Sequence, residues 1–295
     1  MNTIKKLENG FEIEALGFGT WGVGGLFSSY LPNPDSKNNY DEASDIEAIR
    51  KAIELGVSRF DTAEMYADGY SEEILGKALV GYERSKLFVT SKVSPQNLGY
   101  EDVISSCKAS LKRLQIDYLD LYLIHMPNPD IPLKETMKAF DYLKEQGLIK
   151  NIGVCNFNVD SLKEAQDNTK NNIVLNQVHY NLLFREPEMK GVIEYCQSND
   201  VFIEAWRPIQ QGALAKKGIE VVDKMCNKYQ KTPVQIAVNW LISQKNVITL
   251  TKASNIKHLE ENMGALGWNM SDEDVNSLTK NYPIQLDRSN AVQLK

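Results

Sequence analysis

Three stretches decide the fold: Ser58-Arg-Phe-Asp61, Leu87-Phe-Val-Thr-Ser-Lys92 and Leu119-Asp-Leu-Tyr-Leu-Ile-His125. Each is a short predicted strand that ends in a side chain able to do chemistry. Later runs of the same kind end at Asn156, Gln177, Trp206 and Lys252. In a parallel βα barrel, the loops that follow the strands gather around one mouth, where the reactive groups lie. The pattern therefore predicts an α/β chain that folds as a (β/α)8 TIM barrel.

A β-hairpin is predicted ahead of the barrel, because Asn9-Gly10 separates Thr3–Leu7 from Phe11–Glu14 and Asn-Gly is a strong hairpin signal. We expect this hairpin to cover the bottom of the barrel. The first barrel strand is then Ala15–Gly19. The later barrel strands are predicted to be the run that ends at Asp61, then 87–91, 119–124, 150–154, 173–178, 201–206 and 247–251.

Helices are predicted between these strands. Ser44 and Glu47 form a capping-box pattern for the first helix, and Thr232, Pro233 and Gln235 mark the start of a late one. The other predicted helices lie near 72–79, 103–114, 133–147, 159–168 and 187–199, and the late one covers 234–243. Two more follow Asn255, the second starting near Ser271. A doubly wound sheet is the competing fold, but no G-x-G-x-x-G turn follows strand one.

Length and composition favour a single domain that spans residues 1–295, since a barrel of about 250 residues with additional loops and helices accounts for the chain.

The net charge of −6 argues against nucleic acid or an anionic membrane as the main partner. The N-terminus lacks the apolar core of a signal peptide, and no run approaches a membrane span. Four widely spaced cysteines favour free thiols and a cytoplasmic location, and three dispersed histidines argue against a metal site.

Four titratable residues are predicted to meet at the mouth of the barrel: Asp61, Tyr66, Lys92 and His125. Considered singly, each residue has an ordinary interpretation. Asp61 could cap a helix or a turn, and Tyr66 could be an aromatic residue at the rim. Lys92 could be a solvated residue at the edge, and His125 could be a core histidine whose hydrogen bonds are satisfied. At the ends of three consecutive strands they would converge, as barrel active sites do. Because a free tyrosine has a pKa of about 10, we expect the Lys92 ammonium to lower the pKa of Tyr66. Asp61 would keep Lys92 charged, and His125 would orient a substrate oxygen.

These segments resemble the aldo-keto reductases. The similarity runs from Ala15-Leu-Gly-Phe-Gly-Thr-Trp21 to about residue 275, and its most specific parts are Asp61-Thr-Ala, the strand end at Lys92, Asp117-Tyr-Leu-Asp-Leu-Tyr-Leu-Ile-His125 and Ile152-Gly-Val-Cys-Asn-Phe157. The resemblance implies that Asp61, Tyr66, Lys92 and His125 are a catalytic tetrad with Tyr66 as the proton donor. It also implies NADPH as the hydride source, with NADH as the alternative.

The resemblance also implies a set of cofactor-binding residues. They are Gly19, Thr20, Asp61, Cys155, Asn156, Gln177, Trp206, Arg207, Pro208, Ile209, Gln210, Gly212, Lys252, Ser254, Asn255, His258, Glu261 and Asn262. Cys155, Trp206, Arg207 and His258 stand where the family usually has Ser, Tyr, Ser and Arg. Cys155 as a barrel-wall residue and Arg207 as a solvated loop residue remain open alternatives.

Substrate recognition has fewer sequence signals. Trp21 is expected to wall the substrate pocket beside Tyr66 and His125, whereas the insertion Leu26–Tyr40 has three open interpretations: a lid, a partner surface or a passive loop. Tyr122 and His179 are expected to be structural.

The leading hypothesis is an NADPH-dependent reductase of small aldehydes or ketones, as a monomer or weak homo-oligomer. The alternative is a cofactor-binding sensor or channel-associated subunit, while a metal-dependent hydrolase lacks ligands.

Overall fold

The computed structural model describes residues 3–25, 41–252 and 256–295. The N-terminal hairpin is formed by β1 (Ile4–Lys6) and β2 (Glu12–Glu14), which pair antiparallel. Its turn is held by Asn9, whose side-chain oxygen accepts from the Phe11 amide at 2.9 Å. The Phe11 ring packs edge-on against Phe202, the first residue of a barrel strand, at 6.0 Å. The hairpin therefore lies at the N-terminal end of that strand, as predicted.

Eight parallel strands form a closed barrel, which confirms the predicted fold. They are β3 (Leu16–Gly19), β4 (Arg59–Asp61), β5 (Phe88–Val93), β6 (Leu121–Ile124), β7 (Ile152–Cys155), β8 (Ile173–His179), β9 (Phe202–Trp206) and β10 (Val247–Thr251). Their order in the barrel follows the chain, and β10 closes against β3. Because consecutive strands are neighbours, side chains at consecutive strand ends lie side by side.

Helices connect the strands. They are α1 (Glu42–Glu54), α2 (Tyr70–Leu79), α3 (Tyr100–Leu114), α4 (Leu133–Glu145), α5 (Val159–Asp167), α6 (Glu186–Met189), α7 (Val192–Ser198), α8 (Glu220–Tyr229), α9 (Pro233–Ile242), α10 (Ile256–Met263) and α11 (Asp272–Asn281). The Thr232–Gln235 capping box at the start of α9 is confirmed, and Ser271 caps α11. These caps satisfy backbone amides that the helix itself leaves without partners.

Two helix predictions were wrong, and one helix was missed. Asp41, not Ser44, caps α1, because the Asp41 carboxylate accepts from the amides of residues 43 and 44 and starts the helix earlier. The single helix predicted over 187–199 is two helices, since Gly191 takes a left-handed conformation (φ 71°) between α6 and α7. Helix α8 was not predicted.

The chain divides into two compact units. One comprises Phe18–Val174, and the other comprises Met1–Gly17 together with Leu175–Lys295. The proposal of a single domain over residues 1–295 stays a prediction. Within the described ranges, no helix combines the length and the apolar character needed to cross a bilayer.

Candidate active site

A buried lysine organises the first group of candidate residues. Lys92, on β5, is fully buried, and its Nζ donates three hydrogen bonds: to Asp61 Oδ1 at 2.5 Å, to the Thr62 carbonyl at 2.8 Å and to Tyr66 Oη at 3.3 Å. Asp61 ends β4, whose pairing with β5 brings the two strand ends together. A buried ammonium with three acceptors, one of them a carboxylate, is fully compensated.

The position of Tyr66 depends on the tight turn that follows β4. Ala67 and Asp68 both adopt left-handed conformations (φ 50° and 51°), and the Tyr66 amide donates to the Ala63 carbonyl at 3.0 Å. Two rings meet Tyr66 edge to face: Trp21 at 5.2 Å and His125 at 5.5 Å between centroids. Trp21 is 40% exposed, so the aromatic group opens toward solvent at one side.

The expected lowering of the Tyr66 pKa was wrong. Burial raises the pKa of Tyr66 to about 12, and this effect outweighs the opposing charge and hydrogen bond of Lys92, while Asp61 raises the pKa further. The Lys92 ammonium favours the phenolate, but the cost of desolvating a buried phenolate is the larger effect. Tyr66 is therefore a protonated phenol at neutral pH, which is the state a proton donor needs.

Lys92 keeps its charge, as expected. Burial alone would lower the pKa of Lys92, but the neighbouring Asp61 and Tyr66 raise it above its ordinary value. The opposite holds for His125: burial first, and the Lys92 charge second, hold the pKa of His125 well below its usual range. The imidazole is therefore neutral at neutral pH and can donate from only one of its nitrogens. Within the described part of the chain, His125 Nδ1 is buried without a hydrogen-bond partner.

Neighbouring loops support this group. The buried Thr20 donates its backbone amide to the Asp61 carbonyl at 2.9 Å, and its hydroxyl accepts from Ser71 at 2.9 Å. Glu64 ties two loops together, because one carboxylate oxygen accepts from the Ser94 amide at 2.6 Å and from Asn97 at 3.0 Å. These contacts hold the strand ends, and Gly19 pairs with Asp61 in the adjoining strand.

Two predicted cofactor residues lie at the C-terminal end of β7 in the same unit: Cys155 ends the strand and Asn156 follows it. Cys155 is buried, and a thiolate there would raise the pKa of both Tyr66 and Lys92. Asn156 has a left-handed backbone (φ 63°), which asparagine tolerates well. Its side-chain amide donates to the His125 carbonyl at 3.2 Å. Asn156 is therefore fixed to the loop that carries His125.

In the other unit, Gln177 and Trp206 lie on β8 and β9. Gln177 is opposite Glu204 in the strand register, and its amide nitrogen donates to the Glu204 carboxylate at 2.6 Å. Because a carboxylate only accepts, this bond fixes which end of the Gln177 amide is the oxygen. Trp206 is opposite His179 and stacks on it at 4.3 Å. Glu204 and the partners of His179 were not predicted, although both residues lie two positions from predicted site residues, on the same strand face.

The loop after β9 contains five more predicted residues. Arg207, Gln210 and Gly212 have positive φ angles of 56°, 47° and 88°. The Arg207 guanidinium lies 5.4 Å from the Trp206 ring, and Pro208 is buried. Ile209 packs against a core cluster that includes Ala15 and Val234. The loop is thus anchored by its apolar side chains, while Arg207 is half-buried beside the indole.

The remaining predicted residues lie in the C-terminal part of the chain. Lys252 and His258 are exposed, and Glu261 accepts from the Gln235 side chain through its backbone carbonyl at 3.0 Å. Asn262 is buried, and its Nδ2 has no hydrogen-bond partner among the described residues. Ser254, Asn255 and the insertion Leu26–Tyr40 lie outside the described residues. The described ranges contain no cluster of three or more potential metal ligands.

Comparison with known proteins identifies the class. The model of the Aldo/keto reductase family matches residues 15–282, so the chain belongs to that family and the sequence-based identification is confirmed. The methylglyoxal reductase YeaE of Escherichia coli strain K12 is 34% identical over 275 residues, covering 92% of each chain. The glyoxal reductase of Bacillus subtilis strain 168 is 33% identical, covering 92% of this chain and 90% of its own.

Solved structures give the same result. The thermostable aldo-keto reductase Tm1743, solved with the inhibitor epalrestat, has a TM-score of 0.86 at 39% identity, covering 94% of this chain and 98% of its own. An aldo/keto reductase from Klebsiella pneumoniae, solved with NADP and acetate, has a TM-score of 0.81 at 30% identity, with both chains fully covered. These relatives are reductases by name, so the alternative of a sensor or channel-associated subunit gains no support.

Proposed function

We propose that this protein is an NADP-dependent reductase of small aldehydes and ketones, with cytosolic dicarbonyls such as methylglyoxal and glyoxal as the first substrates to test. The observation that carries the proposal is the buried Lys92 ammonium, which contacts both Asp61 and the phenol of Tyr66. The names of the related enzymes support the choice of substrates. The aromatic rings of Trp21 and His125 around Tyr66 suit a small carbonyl compound.

The proposed mechanism assigns one role to each residue. When bound, NADPH supplies the hydride that the carbonyl carbon accepts. Tyr66 donates its phenolic proton to the carbonyl oxygen, so that the product leaves as an alcohol. Lys92 stabilises the resulting phenolate by charge and hydrogen bond, and Asp61 keeps Lys92 charged and in place. His125, neutral, donates a hydrogen bond that orients the substrate oxygen, and Tyr66 is reprotonated from water.

The chain also has features that suit the cofactor. Asn262 Nδ2, buried and without a partner among the described residues, is a donor suited to a ring nitrogen of adenine. Glu204 fixes the Gln177 amide in the orientation that a carboxamide partner needs. We propose that the cofactor is bound by Gly19, Thr20, Asp61, Cys155, Asn156, Gln177, Trp206, Arg207, Pro208, Ile209, Gln210, Gly212, Lys252, Ser254, Asn255, His258, Glu261 and Asn262.

We propose NADPH rather than NADH as the working cofactor. The exposed ammonium of Lys252 follows β10 and suits a 2′-phosphate as a point charge. Titration of the protein with each nucleotide, followed by fluorescence quenching, tests this preference. Tighter binding of NADPH is expected, and equal affinity for both nucleotides would contradict the assignment of Lys252.

The catalytic role of Tyr66 is tested by Tyr66→Phe. We expect wild-type protein to oxidise NADPH with methylglyoxal or glyoxal. The variant should lose about 10²- to 10⁴-fold in kcat, because it has no proton to donate. NADPH affinity and the unfolding temperature should be retained. Tyr142→Phe, at a half-buried position on α4 outside the candidate site, is the matched control and should keep wild-type activity. Undiminished carbonyl reduction by Tyr66→Phe would contradict the proposed mechanism.

A further inference from the structure

His179 lies at the centre of a three-ring stack at the end of β8. Its imidazole is nearly parallel to the Trp206 indole (centroids 4.3 Å apart, planes at 13°) and to the Phe184 ring (4.4 Å, 24°). His179 is 2% exposed, whereas Trp206 is only half-buried. The indole therefore rests on a buried ring and still has surface to offer to a ligand.

The hydrogen bonds of His179 can be assigned from the backbone outward. Asn181 Oδ1 accepts from the amides of Leu183 and Phe184, both at 2.9 Å, so Asn181 Nδ2 is the donor that reaches Gln210 Oε1 at 3.1 Å. Gln210 Oε1 is thus an acceptor, so His179 Nε2 carries the proton and donates it to Gln210 Oε1 at 2.8 Å. Asn181 Nδ2 also lies 3.4 Å from His179 Nε2, but its two donors are used by Gln210 Oε1 and by the Arg207 carbonyl at 2.9 Å.

The other nitrogen connects His179 to the C-terminal tail. With the proton on Nε2, Nδ1 is an acceptor, and it receives the hydroxyl proton of Ser289 at 2.7 Å. The Ser289 hydroxyl in turn accepts from the Ala291 amide at 3.1 Å. The tail itself is held by Glu186, whose carboxylate accepts from the amides of Ser289 at 2.8 Å and Leu294 at 3.3 Å.

The charge state agrees with this arrangement. Burial lowers the pKa of His179 to about 4; the Gln210 hydrogen bond and Glu186 oppose that shift, and Arg207 adds to it. The imidazole is therefore neutral at working pH and keeps one donor and one acceptor. Its ring can rotate only if both hydrogen bonds break, so the stacking plane is fixed.

We propose that His179 is a positioning residue that holds the Trp206 indole in its cofactor-stacking orientation, and that the C-terminal tail sets this orientation through Ser289. The inference rests on the proposed function, because Trp206 is there the ring that stacks on the nicotinamide. It adds a route by which the tail influences cofactor binding without contacting the cofactor.

The test is a double-mutant cycle on NADPH affinity. His179→Gln removes the stacking ring and should weaken NADPH binding about three- to tenfold, the range expected for one aromatic pair. Ser289→Ala should weaken it less, and Ser277→Ala, on α11, should have no effect. If His179 acts through the indole, neither His179→Gln nor Ser289→Ala changes affinity further once Trp206→Leu is present. An equal loss in both backgrounds would overturn the proposal.

A second readout needs no cofactor. The near-ultraviolet circular dichroism band of Trp206, assigned by difference from Trp206→Leu, should weaken in His179→Gln and in Ser289→Ala, while far-ultraviolet spectra stay unchanged. An unchanged band in both variants would overturn the inference. If wild-type protein binds neither nucleotide but the band responds, the positioning role stands and the proposed function fails.

Discussion

At the scale of single residues, the main energetic feature is the ion pair of Lys92 and Asp61, both almost entirely buried. Desolvating two charges is costly, and here the cost is offset by short contacts and by the additional acceptors around Nζ. Such a pair contributes little net stability beyond an apolar alternative, but the loss of one partner leaves a buried charge. Its presence is therefore best explained by the proposed proton donation by Tyr66.

We predict that Lys92→Met lowers the free energy of unfolding by about 3–5 kcal/mol, because Asp61 is left buried and uncompensated. Adding Asp61→Asn should recover part of that loss. Lys138→Met, which breaks an exposed pair with Glu135, is the control and should cost less than about 1 kcal/mol. Urea unfolding of the variants measures these differences, and a cost for Lys92→Met no larger than the control would contradict the account.

The free energy of unfolding is expected to depend on pH through the buried His179. The pKa of His179 is lowered to about 4 by burial, so between about pH 6.5 and pH 4 the unfolded chain binds a proton that the folded chain does not. The stability due to neutral His179 is therefore present above about pH 6.5 and is lost as the pH falls toward 4. Because one proton is involved, the free energy of unfolding changes by at most about 1.4 kcal/mol per pH unit.

Urea unfolding at several pH values compares wild-type protein with His179→Gln. The stability advantage of the wild type should shrink as the pH falls through this window. His258→Gln, which changes an exposed histidine, serves as the control and should follow the wild type. If the difference in free energy of unfolding between wild type and His179→Gln stayed constant over this pH range, His179 would not be buried in its neutral form.

The sequence indicates residues of the candidate site where they end strands. Asp61, Lys92 and His125 follow from the pattern, because strand ends in a barrel lie side by side. The direction of the Tyr66 pKa shift could not be predicted from this pattern. It is set by desolvation of the phenol, which depends on packing by Trp21 and other residues distant in sequence. The partners of His179 are further still: Ser289 lies 110 residues away, and no local pattern connects the two.

At the scale of elements, the packing of α2 on α3 depends on Gly76. A Cβ built on Gly76 would lie 2.7 Å from the Leu114 carbonyl oxygen, which belongs to backbone and cannot move aside easily. The two helices therefore approach closely at this point. In an exposed helix, Gly→Ala would be stabilising by about 1 kcal/mol.

We predict that Gly76→Ala instead destabilises the protein by about 1–3 kcal/mol, as overpacking does in tight cores. Glu73→Ala, on the exposed side of the same helix, should change stability by no more than about 0.5 kcal/mol. Denaturant unfolding of both variants provides the measurement. Stabilisation by Gly76→Ala would contradict the close approach of α2 and α3 at this position.

Element boundaries were less predictable than element types. Near the start of α1, Asp41, Ser44 and Asp45 are all suitable caps by residue type. The structure uses Asp41, and Asp45 instead accepts from the Gly24 amide at 3.1 Å, a partner outside the helix. The choice between such neighbours is made by tertiary contacts, which a local sequence pattern does not contain. Thr232 had no such competitor, and its cap was predicted correctly.

At the scale of the whole molecule, the barrel follows from alternating strands and helices, and family membership assigns it reductase chemistry. In the proposed reaction, hydride from NADPH reaches a substrate carbonyl carbon while Tyr66 protonates the oxygen. The direct test is reduction of methylglyoxal with NADPH that carries deuterium at both C4 positions of the nicotinamide, with the product analysed by mass spectrometry and NMR. We predict one deuterium on the new carbinol carbon, formed at a rate that Tyr66→Phe lowers about 10²- to 10⁴-fold. An alcohol without deuterium at that carbon, or an equal rate in the variant, would contradict the account.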